Sequence, residues 1–386
     1  MKKTQSKHPE LFPRAPVEKP ESTVAMEDVE LTEEDGDTGQ APDSNEEEPT
    51  REEWLALFGA AARFKEARPW EHMYDADMFG VREPESGITG YCSVMGRGGK
   101  HFALGVFPGG EGINSYRFIA EASHRGHELE LGVAGSMQKC IMASFEDRGL
   151  LSDRDRKLIK DLGLKFRGRN AWPQFQRHDP VFQPWYLDSA NARFLTTALE
   201  QALPVADRFQ ADESYLLGPL KANKVLVRVT DGRDGSWADR IEPFERYEGF
   251  EIARSEQVMA ALAVLPVQTG FVLDIPYGVM PTLIGERGQR GYFPHGLLLV
   301  DGNKGLALGV HMLSPEQFPS ELLNTVATSI LKLGIMPEQI RLSSQLLYRV
   351  LAPEFEGYKT SIGLYESLPQ GEHVFKELFS SFAPGW

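Results

Sequence analysis

Residues 296–311 read GLLLVDGNKGLALGVH: two apolar runs, Gly296 to Val300 and Gly305 to His311, on either side of the turn Asp301-Gly302-Asn303-Lys304. Short aliphatic runs bounded by Asp, Gly and Asn are the signature of a strand pair, because those turn residues tolerate the backbone angles that reverse the chain. Upstream, Gly270 to Ile275 reads as another strand, and Gln257 to Val264 as a helix. Downstream, Ser314 and Gln317 have capping-box spacing with Pro315 at the first helical position. Leu322, Leu323, Val326, Ile330 and Leu331 line one helical face that Gly334 ends. A strand from Gln339 to Ser343, a helix from Gln345 to Val350, a strand from Tyr358 to Leu364 and a helix bearing Val374, Phe375, Leu378 and Phe379 complete the segment.

Three strands, then helix, strand, helix, strand, helix, is an order that resembles the ribonuclease H-like fold shared by integrases and transposases. The resemblance implies carboxylates at the first strand, after the fourth strand and on a later helix, so that two magnesium or manganese ions can flank a phosphate. Asp274 stands on the first strand, and Glu372 or Glu377 would supply the helix acid. After the fourth strand the chain offers Arg341-Leu342-Ser343-Ser344, and a hydroxyl cannot replace a carboxylate. The expectation is a degenerate, non-catalytic core.

Further upstream, Met78 to Arg82, Ile88 to Met95 and Lys100 to Phe107 read as a meander. A helix from about Gly112 to Ala122, a strand from Cys140 to Phe145 and a helix opened by Ser152 and closed by Gly163 follow. A helix from Asp188 to about Ala202, with Pro204 beyond its end, precedes strands from Val225 to Thr230 and Ser236 to Ile241. Ala103-Leu104-Gly105-Val106 recurs as Ala307-Leu308-Gly309-Val310, which raises a duplication of one domain. The expected architecture is α/β with mixed sheets in two domains, 53–246 and 247–386, behind a disordered acidic leader, 1–52.

The leader follows from composition. Residues 1–50 carry 5 Lys/Arg against 14 Asp/Glu, nine of the chain's fifteen net negative charges, and almost no aromatic residue. Such a segment cannot bury enough apolar area to offset its ordering entropy. It is a candidate for contact with a protein partner, although composition favours a solvating extension. The longest apolar run, Val258 to Val267, is too short for a bilayer and is interrupted by Pro266. No apolar h-region follows Lys2, Lys3 and Lys7, and Cys92 and Cys140 sit in separate apolar runs without C-x-x-C spacing. These features point to a cytoplasmic protein with reduced thiols and no membrane partner.

The stretches Trp70 to Asp75, Phe79 to Val81, Gly90 to Cys92, Ser144 to Arg148, Leu162 to Pro173 and Ala192 to Thr196 resemble an uncharacterised bacterial family with two tandem domains of unknown function. The resemblance spans residues 53–386 and brings no activity with it.

Two further constellations carry candidate chemistry. Asp77, with Glu146 and Asp147, would form a metal-dependent phosphoryl-transfer site if the two domains shared a topology. Between Arg154 and Arg177 eight Lys/Arg face two Asp, and Arg154, Arg167, Arg169 and Trp172 offer phosphate contacts and a stacking ring for a single strand. The rest of that domain is not basic, so a charged helix followed by an aromatic-anchored loop is the favoured reading and nucleic acid is not the favoured partner. His124 and His127 near Glu128 and Glu130 read as a polar loop rather than a zinc set. The glycine clusters around Gly98 and Gly110 read as turns, because no Lys-Ser/Thr pair follows either. No motif requires a cofactor.

Overall fold

The computed structural model describes residues 47–380 apart from 127, 231–234, 248, 250, 287 and 288. The expected leader therefore lies outside the described residues up to position 46. Order begins earlier than Trp54: Thr50 caps α1 (Arg51–Ala67) in a reciprocal box with Glu53, and the Glu47 carbonyl accepts from Ser189 N at 2.8 Å.

The first sheet contains β1 (Phe79–Arg82), β2 (Thr89–Met95) and β3 (Ala103–Pro108), which leads into α2 (Gly109–Arg125) and α3 (Glu128–Ser136). After β4 (Cys140–Glu146) come α4 (Asp153–Asp161), β5 (Trp172–His178), α5 (Ser189–Ala211), α6 (Ser214–Lys221), β6 (Lys224–Val229) and β7 (Ala238–Pro243). The strand order is β5-β4-β3-β2-β1-β6-β7, antiparallel throughout except for the parallel pair β1/β6. Strict alternation explains the apolar runs in the sequence. Phe79, Val81, Cys92, Val94, Leu104, Val106, Ile141 and Phe145 face a core under α1 and α5. Tyr91, Ala103, Phe107, Cys140 and Met142 face the opposite core. Cys92 and Cys140 are thus buried on opposite faces, and burial pushes both thiols up.

The second sheet follows α7 (Glu256–Ala263). Its elements are β8 (Val267–Ile275), the short β9 (Tyr277–Val279), β10 (His295–Asp301), β11 (Leu306–Leu313), α8 (Leu322–Leu333), β12 (Met336–Leu342), α9 (Gln345–Leu351), β13 (Ser361–Leu364) and α10 (Pro369–Ser380). The order is β11-β10-β8-β12-β13, with β9 pairing β10. Counting without β9, the strands stand third, second, first, fourth, fifth. The second is antiparallel to its neighbours, and the first, fourth and fifth are parallel.

Several expectations are corrected. Residues 172–178 form β5 rather than a loop, because Phe175 is buried against Phe58 at 4.9 Å between ring centroids. α5 runs on through Pro204: Ala198, Leu199, Ala202, Val205 and Phe209 keep one buried stripe across the proline, and that packing outweighs the lost backbone bond. Residues 314–321 form turns, not a helix start, although Ser314 N does donate to Gln317 Oε1 at 3.0 Å. Pro319 has no N–H to extend a ladder, and Phe318 turns inward onto the His295 ring, 3.7 Å between centroids. The two sheets also differ in topology. β4 pairs antiparallel with β3, whereas β12 pairs parallel with β8, so the repeated tetrapeptide lies mid-sheet in one case and on an edge in the other. The duplication finds no support in this arrangement.

The cores are joined. Phe118 and Ala122 of α2, Val133 and Ala134 of α3, and Met137 belong to the same cluster as Leu273, Leu297, Leu322, Val326 and Leu347 of the second sheet and its helices. Sequence reading missed α3, whose Gly132 and Gly135 disfavour a helix until that packing is available. Phe118→Ala is predicted to cost about 3–5 kcal/mol. It should shift one cooperative unfolding transition, because α2, which carries Phe118 into the second core, also packs on β2 and β3 of the first sheet; a urea titration followed by far-UV circular dichroism and tryptophan fluorescence would show two separated transitions if this is wrong.

Candidate functional site

Asp274 is fully buried on β8, and β12 places Arg341 directly opposite it in parallel register. The guanidinium forks onto the carboxylate, with Arg341 Nε donating to Oδ1 at 2.6 Å and Nη2 to Oδ2 at 3.0 Å. Two glycines close over the pair. A Cβ on Gly302 would lie 2.7 Å from both Arg341 Nη2 and Asp274 Oδ1, and one on Gly371 would lie 3.2 Å from Asp274 Cβ. Nearby acids are committed locally. Asp301 Oδ1 accepts from the Asn303 and Lys304 amides, Glu372 Oε1 accepts from Leu368 N at the start of α10, and Glu377 pairs with His373 at 3.4 Å on an exposed surface. Ser344 caps α9.

The acids of the first sheet do not gather. Asp77 precedes β1 and accepts from Tyr74 N at 2.8 Å, while Glu146 ends β4 and Asp147 accepts from Asn170 N at 2.6 Å. Since β2 and β3 lie between β1 and β4, Asp77 and Glu146 are separated by three strand spacings, about 14 Å at ~4.8 Å per strand. Among the described residues no group of three or more His, Cys, Asp or Glu is arranged to hold a metal ion. His124 lies exposed on α2 and His127 lies outside the described residues.

The basic stretch is divided between core and surface. The Arg154 guanidinium stacks 3.8 Å over Tyr186 and pairs with Glu48 at 3.1 Å. The Trp172 ring meets Phe166 edge-on, with Arg148 at 5.8 Å over its face. Arg167 and Arg169 are exposed, Arg169 lying 3.8 Å from Asp147.

A second feature escaped sequence reading. Glu111, Asn114, Ser115 and Phe118 recur at helical spacing along one face of α2, and Leu346, Arg349, Val350 and Pro353 do the same along α9 and the turn after it. These stripes face each other across a cleft of about 420 Å³, whose remaining wall includes Met137, Lys139, Pro180, Tyr247 and Ile252. Arg349 bridges the seam to Glu121 at 3.0 Å. Behind the cleft, Asp179 receives three cations: Lys139 Nζ at 2.7 Å, Arg177 Nε at 2.8 Å and Arg290 Nη1 at 2.6 Å. Arg290 comes from the β9–β10 connection and also donates to the Gln183 carbonyl at 2.8 Å, so this cluster ties the second sheet to the first. Burial alone would raise the Asp179 carboxyl, but Lys139, Arg290 and Arg177 outweigh it and hold it well below the usual carboxylate range.

Residues 54–228 match the family model described as Domain of unknown function (DUF7309), and residues 259–379 match Domain of unknown function (DUF6930). The chain thus carries two tandem domains of unknown function. No curated protein and no solved structure matches it. Among the described residues no helix is long and apolar enough to cross a membrane.

Two predictions follow from the buried charges. Arg341→Ala leaves Asp274 without its cation and should cost about 3–5 kcal/mol, whereas Arg341→Met combined with Asp274→Leu should recover most of that loss; urea unfolding of the single and double variants measures both. For Asp179 the folded carboxyl is depressed, so its contribution is fully present above the unfolded value of ~3.9 and is lost as pH falls below it. The stability gap between the wild type and Asp179→Asn should therefore be constant from about pH 7 to 5 and narrow toward pH 3. A gap that stays flat to pH 3 would contradict the assignment.

Proposed function

We propose that residues 247–386 form a ribonuclease H-like core whose phosphoryl-transfer centre is closed, and that the chain acts as a non-catalytic, cytoplasmic binding or regulatory protein. The observation that carries this reading is the Arg341–Asp274 fork. Two-metal chemistry needs carboxylates converging on a common point, so that cations can neutralise charge on the transferring phosphate. Here the neighbouring strand contributes a fixed guanidinium at the position facing the first acid, and it engages both carboxylate oxygens. Gly302 and Gly371 approach closely enough that even a methyl group would collide or crowd, which leaves little space for a hydrated ion. The strand order of the second sheet supports the fold half of the proposal.

The test is calorimetric titration with magnesium and manganese of the wild type, of Asp274→Asn, and of Asp77→Ala combined with Glu146→Ala. The expected result is no saturable binding that any of these substitutions removes. Saturable manganese binding lost in Asp274→Asn would overturn the closed-centre reading, and loss in the double variant would revive a metal site in the first domain. A parallel titration with single-stranded oligonucleotide distinguishes the nucleic-acid alternative, which requires binding that falls in Arg167→Ala with Arg169→Ala.

A further inference from the structure

We propose that β11 is a self-association edge: two copies of the chain pair their β11 strands antiparallel about a twofold axis, continuing the second sheet from one molecule into the other. Four strands end the two sheets, and three of them are protected. β7 carries Asp239, Arg240, Glu242 and Pro243 among its six residues. β5 contains Pro173, and on its outer side Arg177 exchanges two backbone hydrogen bonds of 2.8 Å with Trp185. β13 is only four residues long. β11 runs for eight residues, Leu306–Leu313, and holds no Lys, Arg, Asp, Glu or Pro. Charge, proline, covering chain and shortness keep exposed edges from pairing with other chains. Among the described residues β11 has none of these, and its one register shift, at Leu299 and Val300 of β10, leaves residues 309–313 in regular pairing.

About half of the N–H and C=O groups of an edge strand point away from its sheet, and they select another extended strand as the occupant. The side chains add an apolar face. Val310 stands opposite Leu298 and Met312 opposite Gly296, so both lie on the side of the sheet where Phe375 of α10 packs against Leu298 and Val300. That cover does not reach the edge, and Val310 is 46 % and Met312 52 % exposed. On the other side His311 turns to α8, where its Nε2 and Ser329 Oγ share a hydrogen bond of 2.9 Å. The strand that complements this edge is β11 of a second copy. An axis through Val310 sets the two Val310 side chains against each other, with no Asp, Glu, Lys or Arg opposed along the paired strands. Lys304, 75 % exposed beside Asp301, and Glu316, exposed beside Ser314, stand six residues before and six after Val310. Antiparallel pairing therefore brings Lys304 of each copy to the same end as Glu316 of the other. The contact has apolar side chains at its centre and opposite charges at both ends, and a twofold that occupies both β11 edges closes the assembly at a dimer. An eight-residue ladder is a small interface, so a dissociation constant on the order of 10 μM is expected.

The test is sedimentation velocity of the full chain from about 1 to 200 μM at ~0.15 M salt, with circular dichroism and a urea midpoint to check that each variant is folded. The wild type is expected to pass from monomer to dimer across this range. Val310→Lys, at an exposed position, sets two ammonium groups against each other on the axis and should weaken the dimer at least about tenfold. Lys304→Glu and Glu316→Lys should each weaken it about threefold, and the two together in one chain should restore most of the loss, because the reversed charges meet again across the axis. An interface elsewhere on the molecule would give no such rescue. The proposal is overturned by a monomer at every concentration, which would leave the edge to the strand of a different protein. It is equally overturned by a dimer indifferent to Val310→Lys, by a charge swap that does not rescue, or by open-ended assembly.

Discussion

The structure depends on a loan of apolar surface. α2 and α3 belong to the first sheet by sequence, since α2 leaves directly from β3, yet Phe118, Ala122, Val133 and Ala134 are buried among residues of the second sheet and its helices. Neither side can withdraw from that contact without exposing large apolar faces to water, at ~25 cal/mol per Å². The cluster at Asp179 and the Arg349–Glu121 pair lie around the same seam. Apolar burial holds the seam together, and the Asp179 cluster opposes sliding because its charges are largely buried and would lose their partners.

Within this frame the centre of the second sheet is filled by the domain's own charges. The Asp274 carboxylate is engaged through both oxygens by one side chain from the adjacent strand, and Gly302 and Gly371 approach it closely. Open space lies instead at the seam, where a cavity of about 420 Å³ separates α2 from α9.

Much of the fold was legible in the sequence because period-2 alternation and turn chemistry are local. The pair of strands around Asp301 to Lys304, the glycine at the end of α8 with its positive φ of 72°, and the capping box at Ser152 all lie within a few residues of their causes. The errors came where distant packing overrode local preference: α5 persisted through Pro204, α3 formed despite two glycines, and β5 appeared where basic residues suggested a loop. Arg341 was legible as an acid's absence, but its role as the partner of Asp274 depends on a parallel register across 67 positions. The cleft was hidden for the same reason, since each stripe looks like an ordinary amphipathic face until long-range packing sets α2 and α9 side by side, with Glu121 and Arg349, 228 positions apart, within hydrogen-bond distance.

The borrowed helices also have a consequence for biosynthesis. α3 ends at Ser136, and the cluster that α2 and α3 share with the second sheet includes Leu351, so roughly 200 residues must be made before that cluster is complete. At ~5–20 residues per second, the apolar face of α2 and α3 waits uncovered for on the order of 10–40 s on each ribosome. During that interval the apolar face formed by Phe118, Ala122, Val133 and Ala134 stays open to water, and transiently uncovered apolar surface is what makes partly folded chains prone to aggregate.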